Sequence, residues 1–391
     1  MAAAKELFSS RLVSLSRLIA NTDKPRLRLP RPEPCVFLGL ALLVAWPLPG
    51  QFHDQLPDEL RSRPIEGLDT AACDAELSAE ISGEDLAEES EGDDIKAASA
   101  YRQAWIRCRQ NAILLKYAEA FHRLGSYDKA AKAARDLLRR EPNNVRGLTT
   151  LANALLMAQQ LDKAKEAASQ AVELEPDNTS ALLLLANLHY LLGDSTSAEQ
   201  TFLKVLDAEP ENENAAYMLG RVYYMENRVD YAMAQFQRAL KVNPKSYKAW
   251  DNLALCYDAQ GEYDKAIGAF LEAIKLVEND VPEYDWPYAN LADLLLRRNE
   301  FQTAYQAATT AAKRNPQSAR NFYIGGKALW KLERTDDALK WLERSAQLDP
   351  GYPDPLYLLG QVYLKIGQRE KGRETLERFR AAKEKAPKKR R

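Results

Sequence analysis

The sequence contains few groups suited to metal binding or redox chemistry. It has only 4 cysteines and 3 histidines among 391 residues. No CxxC pair occurs, and the histidines are scattered along the chain. The spacing of these residues predicts neither a metal site nor a dithiol redox motif. We therefore expect a protein that binds no metal and no other cofactor.

Sequence motifs of catalysis are absent as well. The chain has no GxxxxGK[ST], HExxH, GxSxG or GxGxxG pattern. The segment Gly325-Gly-Lys-Ala328 is a poor match to a phosphate-binding loop, because it lacks both the glycine spacing and the hydroxyl that would reach magnesium. We expect a protein that is not an enzyme and has no small-molecule substrate.

The chain also has little net charge, −2 at pH 7, which argues against binding of nucleic acid by the whole chain. The charge is unevenly distributed. Residues 51–100 carry 15 acidic side chains against 3 basic ones, and six of the last nine residues are basic. Such runs are typical of solvated segments. We interpret 51–94 as an acidic flexible linker and 381–391 as a basic tail.

The N-terminal apolar run, Cys35–Trp46, is too short for a comfortable transmembrane helix. It follows a basic segment that is poor in acidic residues, as in a signal peptide. Residues 1–50 therefore predict a leader, and the protein is expected to be exported or membrane-anchored, periplasmic if it is bacterial. An uncleaved anchor and an organellar transit peptide are the alternatives. In an oxidising compartment Cys73 and Cys108 could pair, which the sequence does not decide.

Most of the remaining chain repeats with a period of 34 residues, marked by prolines. These prolines are Pro142, Pro176, Pro210 and Pro244, followed by Pro282, Pro316 and Pro350. The step between the two series is 38 residues, so one unit has four extra residues. Four residues make about one helical turn. We place this turn in Ile274–Val281, at the end of the second helix of its unit.

Two positions in each unit hold small residues. When each unit begins three residues after a proline, the eighth position holds Ala118, Ala152, Ala186, Gly220, Ala254, Ala292, Gly326 and Gly360. The twentieth position holds Ala130, Ala164, Ala198, Ala232, Ala266, Ala304, Ala338 and Gly372. Small residues on both helices of a unit let the two backbones approach closely. The fourth, seventh and eleventh positions are mostly large and apolar, which predicts one helix face.

These units resemble tetratricopeptide repeats, most closely in Tyr247–Lys275. The resemblance covers eight units over residues 111–380. It implies an all-α fold, a right-handed superhelical solenoid of antiparallel helix pairs. A helix at 95–110 is expected to cap the first unit. His189 and Gly325 replace the bulky residues usual at their positions, which is expected to weaken packing locally.

In this family the first helix of each unit lines a concave groove, to which positions 2, 5, 9, 12 and 13 contribute. Asn153, Asn187 and Arg221 follow one another at position nine, where carboxamides would bind a peptide backbone and arginine a carboxylate. Aromatic residues around them are typical interface anchors. The predicted groove residues are Asn153, Asn187, Tyr190, Tyr217, Arg221, Tyr224, Trp286, Tyr323, Lys327, Trp330 and Tyr357.

The resemblance favours a non-enzymatic scaffold or adaptor whose groove binds a protein or peptide partner. Membrane association would come from the N-terminal hydrophobic segment, and no nucleic acid is expected as a partner. The alternative is a structural subunit of an envelope assembly or homo-oligomer, in contact through the ends or the convex face of the solenoid. The extra turn at Ile274–Val281 could mark such a contact.

Overall fold

The computed structural model describes residues 111–385 of the chain. These residues form sixteen α-helices and no β-strand. The predicted leader, the acidic linker, the capping helix expected at 95–110 and the cysteines Cys73 and Cys108 lie outside the described residues. None of the described helices combines the length and hydrophobicity that crossing a bilayer requires.

The helices follow one another as eight pairs, one pair for each sequence unit. The first helices are α1 (Asn111–Arg123), α3 (Val145–Met157), α5 (Thr179–Leu191), α7 (Glu213–Met225), α9 (Tyr247–Ala259), α11 (Trp286–Arg297), α13 (Ala319–Lys331) and α15 (Pro353–Lys365). The second helices are α2 (Tyr127–Leu138), α4 (Leu161–Leu174), α6 (Ser195–Ala208), α8 (Val229–Val242), α10 (Tyr263–Asp280), α12 (Phe301–Arg314), α14 (Thr335–Leu348) and α16 (Arg369–Lys385).

Each helix packs on the next one in the chain, so the pairs form a continuous solenoid. The first helices of neighbouring units also contact each other, from α1 to α15. The second helices of neighbouring units do not approach each other as closely. The array therefore bends toward its first helices, whose exposed surface we call the inner face. The surface of the second helices is the outer face.

The small residues of the sequence pattern lie where the two helices of a pair cross. Every residue at the eighth and twentieth positions is buried. In the last unit a Cβ on Gly360 would meet the carbonyl oxygen of Gly372 at 3.3 Å, and a Cβ on Gly372 would meet that of Gly360 at 3.2 Å. The two backbones are thus nearly in contact, as the pattern predicts. Phe202, Phe236 and Phe270 are fully buried in the core beside these crossings.

The loops between the first four units share one hydrogen-bonding device. The side-chain oxygens of Asn144, Asn178 and Asn212 accept from the backbone N–H three residues further on, at 2.8, 3.0 and 2.9 Å. Each of these residues is therefore the N-cap of a first helix. The amide of each asparagine also donates to the glutamate three residues before it. Both polar ends of the side chain are satisfied, and the entry of each first helix is fixed.

The extra turn extends α10 to 18 residues, against 14 in α8 and α12. Arg314 of the next unit binds the end of this helix. Its guanidinium donates to the carbonyl oxygens of Val277, Glu278 and Val281 at 3.0 to 3.1 Å and lies 4.7 Å from the ring centroid of Tyr288. The last carbonyl groups of a helix have no full set of N–H partners within the helix, and the guanidinium of Arg314 supplies hydrogen-bond donors to them.

The packing around Gly325 differs from the expectation. The sequence predicts weakened packing, because glycine replaces a bulky residue there. In the structure the indole ring of Trp341 fills this space, and a Cβ on Gly325 would lie 2.3 Å from that ring. Tyr305 and Phe322 pack against the same indole, with ring centroids at 5.5 and 5.3 Å. The small residue on α13 and the large one on α14 are therefore complementary.

We expect Gly325→Ala to lower the free energy of unfolding by about 1 to 3 kcal/mol, because the new methyl group overlaps an indole ring that its neighbours hold in place. Denaturation monitored by tryptophan fluorescence and circular dichroism measures the effect. The double variant Gly325→Ala, Trp341→Leu should show a smaller loss than the sum of the two single changes. Strict additivity of the two losses would contradict this account.

Candidate functional site

On the inner face, an arginine of the fourth unit lies over two tyrosine rings. The guanidinium carbon of Arg221 lies 5.0 Å from the ring centroid of Tyr190 and 6.0 Å from that of Tyr217. Burial raises the pKa of Tyr190, and it raises the pKa of Tyr217 to about 12. Both phenols therefore stay neutral and keep their O–H groups. The structure thus brings together three predicted site residues from two neighbouring units, as a cation resting on aromatic rings.

Asn187 is not accessible, although the sequence predicts that it lies in one exposed row with Asn153 and Arg221. Asn153 is exposed and Arg221 is partly exposed, but Asn187 is only 6% exposed and its Oδ1 has no hydrogen-bond partner. Its helix, α5, packs against both α3 and α7, which closes the surface over this position. The expected series of three groove contacts is therefore interrupted in its middle.

Two predicted aromatic residues in the last three units are widely exposed. Trp286 is 53% exposed and Tyr357 is 50% exposed, although both rings are large. Tyr323 and Trp330 are partly exposed, as is Tyr224 in the fourth unit. Surface aromatic rings of this size are typical anchors for a partner.

Cations accompany these rings. Arg320 lies 5.5 Å from the ring centroid of Trp286, Lys327 lies 5.8 Å from that of Tyr323, and Lys365 lies 4.5 Å from that of Trp330. The arrangement of Arg221 on its tyrosines therefore recurs three times toward the C-terminal end. A surface of this kind offers flat apolar area and positive charge side by side.

A buried polar network links the fifth, sixth and seventh units behind this surface. Asn290 donates to the carboxylate of Asp251 at 2.9 Å, and Arg320 donates to the side-chain oxygen of Asn290 at 2.9 Å. Asp251 is 3% exposed and Asn290 is 5% exposed. Burial raises the pKa of Asp251 to about 7, against the opposing effects of Asn290 and Arg320. The network fixes Arg320 through a carboxylate that titrates near neutral pH.

A second buried pair lies beside the first. Asn321 donates to the carboxylate of Asp285 at 2.5 Å, and both residues are almost completely buried. The Oδ1 atom of Asn321 has no hydrogen-bond partner. Within residues 111–385, no three His, Cys, Asp or Glu side chains are grouped so that they could hold a metal ion.

Sequence reasoning missed Asp251, Asp285, Asn290 and Asn321. The available indication was a polar residue at a position that is small or apolar in most other units. Asn321, for example, occupies the third position of its unit, where alanine, glycine, proline or isoleucine stands in the other seven units. Buried polar side chains are costly unless they are paired, so such exceptions predict a network.

The sequence matches a family model described as tetratricopeptide repeat over residues 149–213, 193–237, 217–281 and 290–353. Two further models with the same description match residues 111–153 and 329–388. No curated protein matches the sequence significantly. The repeat matches thus extend over nearly all the described helices.

The fold is similar to solved structures of repeat proteins. A tetratricopeptide repeat protein from Parabacteroides merdae has a TM-score of 0.53 and 20% identity, with 69% of this chain and 98% of that one covered. Yeast Tom70 has a TM-score of 0.52 and 21% identity, with coverages of 71% and 60%. A chain of the APC/C hetero-tetramer Cut9–Hcn1 has a TM-score of 0.55 and 15% identity, with coverages of 69% and 52%. At sequence identities this low, these similarities show a common fold and nothing further.

The titration of Asp251 gives a prediction about stability. An unfolded aspartate has a pKa of about 3.9, well below that of the buried group, so the folded state binds the proton more tightly. This contribution to stability is fully present below about pH 4 and is lost as the pH rises to about 7. Asp251→Asn keeps an acceptor for Asn290 but has no charge to bury. We expect it to raise the unfolding free energy at pH 8 by up to about 4 kcal/mol, with little change at pH 4.

Urea denaturation of the wild type and of Asp251→Asn between pH 4 and pH 8 measures this effect. Asp264→Asn is the matched control, because the side chain of Asp264 is 78% exposed. Its curve should follow that of the wild type within about 0.5 kcal/mol. A lower stability of Asp251→Asn than of the wild type at pH 8 would show that the charged form is the stabilised one.

Proposed function

Since this chain belongs to the tetratricopeptide repeat family, we propose that it is a non-enzymatic scaffold whose inner face binds an extended segment of a partner protein. The observation that carries the proposal is the pairing of exposed or partly exposed aromatic rings with cations on the first helices. It begins at Arg221 in the fourth unit and continues to Lys365 in the eighth. Aromatic residues and arginine dominate binding energy in protein interfaces.

The inner face has the properties that an extended chain requires. A first helix of each unit presents side chains at regular intervals, so successive residues of a ligand meet successive units. Asn153 offers an amide group to a peptide backbone. The amide nitrogen of Asn252 instead donates to the hydroxyl of Tyr217 at 3.4 Å and to the carbonyl oxygen of Lys248 at 2.9 Å. Arg221 is the group that would bind a carboxylate with two parallel hydrogen bonds. Asn187 is buried and contributes little to such contacts.

A structural role in an assembly remains the second candidate, favoured by apolar side chains on the outer face. Tyr231 is 59% exposed and Tyr263 is 43% exposed, and both belong to second helices. Leu203 and Val242 are exposed on the same side at 39% and 42%. Self-association or attachment to an envelope assembly would use these residues rather than the inner aromatic rings. The leader at residues 1–50 is proposed to bring either form of the protein to or across a membrane.

Site-specific photocrosslinking in the native cells separates the two candidates. A benzophenone amino acid replaces Trp286 or Tyr357 on the inner face, or Tyr231 or Tyr263 on the outer face; all four are aromatic residues of similar exposure, 43 to 59%. We expect the inner probes to crosslink one polypeptide other than this chain, identified by mass spectrometry. Adding Arg221→Gln should reduce the yield at the inner probes severalfold and leave the outer probes unchanged.

Crosslinks confined to Tyr231 and Tyr263, and formed with a second copy of the chain, would overturn the groove proposal and support the assembly role. Fractionation of the same cells reports whether the protein is found at full length in the cytoplasm, which would contradict the proposed leader. Light scattering over a wide concentration range adds an independent measure of self-association.

A further inference from the structure

We propose that the inner face of the last three units is a docking site for an extended acidic segment of a partner protein, in which carboxylates recur at about every third residue, as one side of a polyproline II helix presents them. This inference rests on the proposed function and names the chemistry of the partner. It concerns Arg320, Lys327 and Lys365 together with the rings of Trp286, Tyr323 and Trp330. The Arg221 subsite of the third and fourth units is separate from it.

None of the three cations forms a direct ion pair with a described carboxylate. Among the described residues, no carboxylate oxygen lies within 4.0 Å of the charged nitrogens of Arg320, Lys327 or Lys365. Cations nearby behave differently, since Arg297 pairs with Asp258 at 2.5 Å and Arg334 pairs with Asp337 at 2.6 Å. Aromatic faces orient the three cations of the inner face but do not neutralise them, and only Arg320 also interacts with a buried carboxylate, that of Asp251. They are positioned to receive anionic groups.

Arg320 is the most firmly held of the three. Its guanidinium donates to Asn290, which in turn donates to the buried carboxylate of Asp251. The same guanidinium lies over the indole of Trp286, which is 53% exposed. A side chain fixed in this way loses little conformational freedom when it binds a ligand. The exposed indole beside it offers contact area to an apolar residue of the segment.

The spacing of the cations sets the spacing of the carboxylates. Arg320 and Lys327 are separated by about two turns of α13, roughly 10 Å along its axis. Neighbouring first helices, such as α13 and α15, pack at about 8 to 10 Å from each other. An extended chain in the polyproline II conformation advances about 3.1 Å per residue and places every third side chain on the same side. The distance between neighbouring cations, whether along α13 or from α13 to α15, therefore corresponds to about three residues of the bound segment.

The surface also carries acidic groups that disfavour a continuous polyanion. Burial raises the pKa of Tyr352, and the carboxylates of Asp354 and Asp293 raise it further, while Arg320 opposes them. Tyr352 packs on Tyr323, with ring centroids 5.6 Å apart. Acidic and basic groups thus both act on one aromatic pair. A nucleic acid or a run of consecutive glutamates would meet repulsion there, whereas spaced carboxylates with apolar residues between them would not.

Fluorescence anisotropy with the full chain tests the proposal. The probe is a labelled twelve-residue peptide that has glutamate at every third position and leucine, alanine or serine between. One comparison peptide has the same composition with its glutamates consecutive, and another has glutamine in their place. We expect the spaced peptide to bind at least tenfold more tightly than either comparison peptide, and its affinity to fall as sodium chloride is raised.

The decisive variants remove equal charge from the two faces. Lys327→Gln, Lys365→Gln changes the inner face, and Lys313→Gln, Lys340→Gln changes the second helices α12 and α14 by the same two charges. The inner variant should bind the spaced peptide at least tenfold more weakly, and the outer variant should bind it within twofold of the wild type. Equal losses in both variants, or equal affinity for consecutive and spaced glutamates, would overturn the proposal.

The other occupants are further outcomes of the same measurement. A peptide of residues 51–94 that binds more tightly than any spaced peptide would assign the surface to this chain's own acidic segment and overturn a partner in trans. Stronger binding of single-stranded RNA, or dimerisation that the inner variant abolishes, would likewise overturn it. If the inner-face crosslinks form but no spaced peptide binds, the scaffold function stands and the acidic partner does not.

Discussion

The close approach of two backbones at each helix crossing is the constraint on which the solenoid depends. Small residues occupy the eighth and twentieth positions of every unit, and Gly360 and Gly372 show how little space remains. Because no bulky side chain separates the helices of a pair, the surrounding large residues can close over the crossing. Phe202, Phe236 and Phe270 do so in three consecutive units. The core thus lies within and between units, which leaves the inner side chains free for polar and aromatic roles.

The network of Asp251, Asn290 and Arg320 departs from this division between core and surface. A buried carboxylate opposes folding when it is charged, and the two partners reduce that cost without removing it. Its effect is to join three consecutive units through the buried side chain of Asn290. The arginine at its outer end belongs to the inner face. Stability near neutral pH and the position of a surface cation therefore depend on the same buried group.

The repeat could be predicted because its evidence recurs eight times. The period of the prolines, the small residues and the extra turn in α10 all correspond to the observed helices, and the tetratricopeptide assignment is confirmed. Single positions were harder. The expectation at Gly325 was wrong, because the compensating Trp341 lies on the other helix and no periodic pattern connects the two. Asn187 shared its position with exposed residues but is buried by local packing. Asp251 and its partners depend on contacts between residues 39 and 30 apart, which a consensus for one unit does not contain.

The clamp formed by Arg314 has a mechanical consequence. In an array where each unit touches only its neighbours, stiffness is set joint by joint. At the joint between the fifth and sixth units, one guanidinium holds three carbonyl oxygens at the end of the longer helix and rests on Tyr288. Under a force that pulls the two ends of the solenoid apart, the joints between units would resist extension unequally. This joint would yield late, and the extension would be taken up first at joints that fewer hydrogen bonds cross.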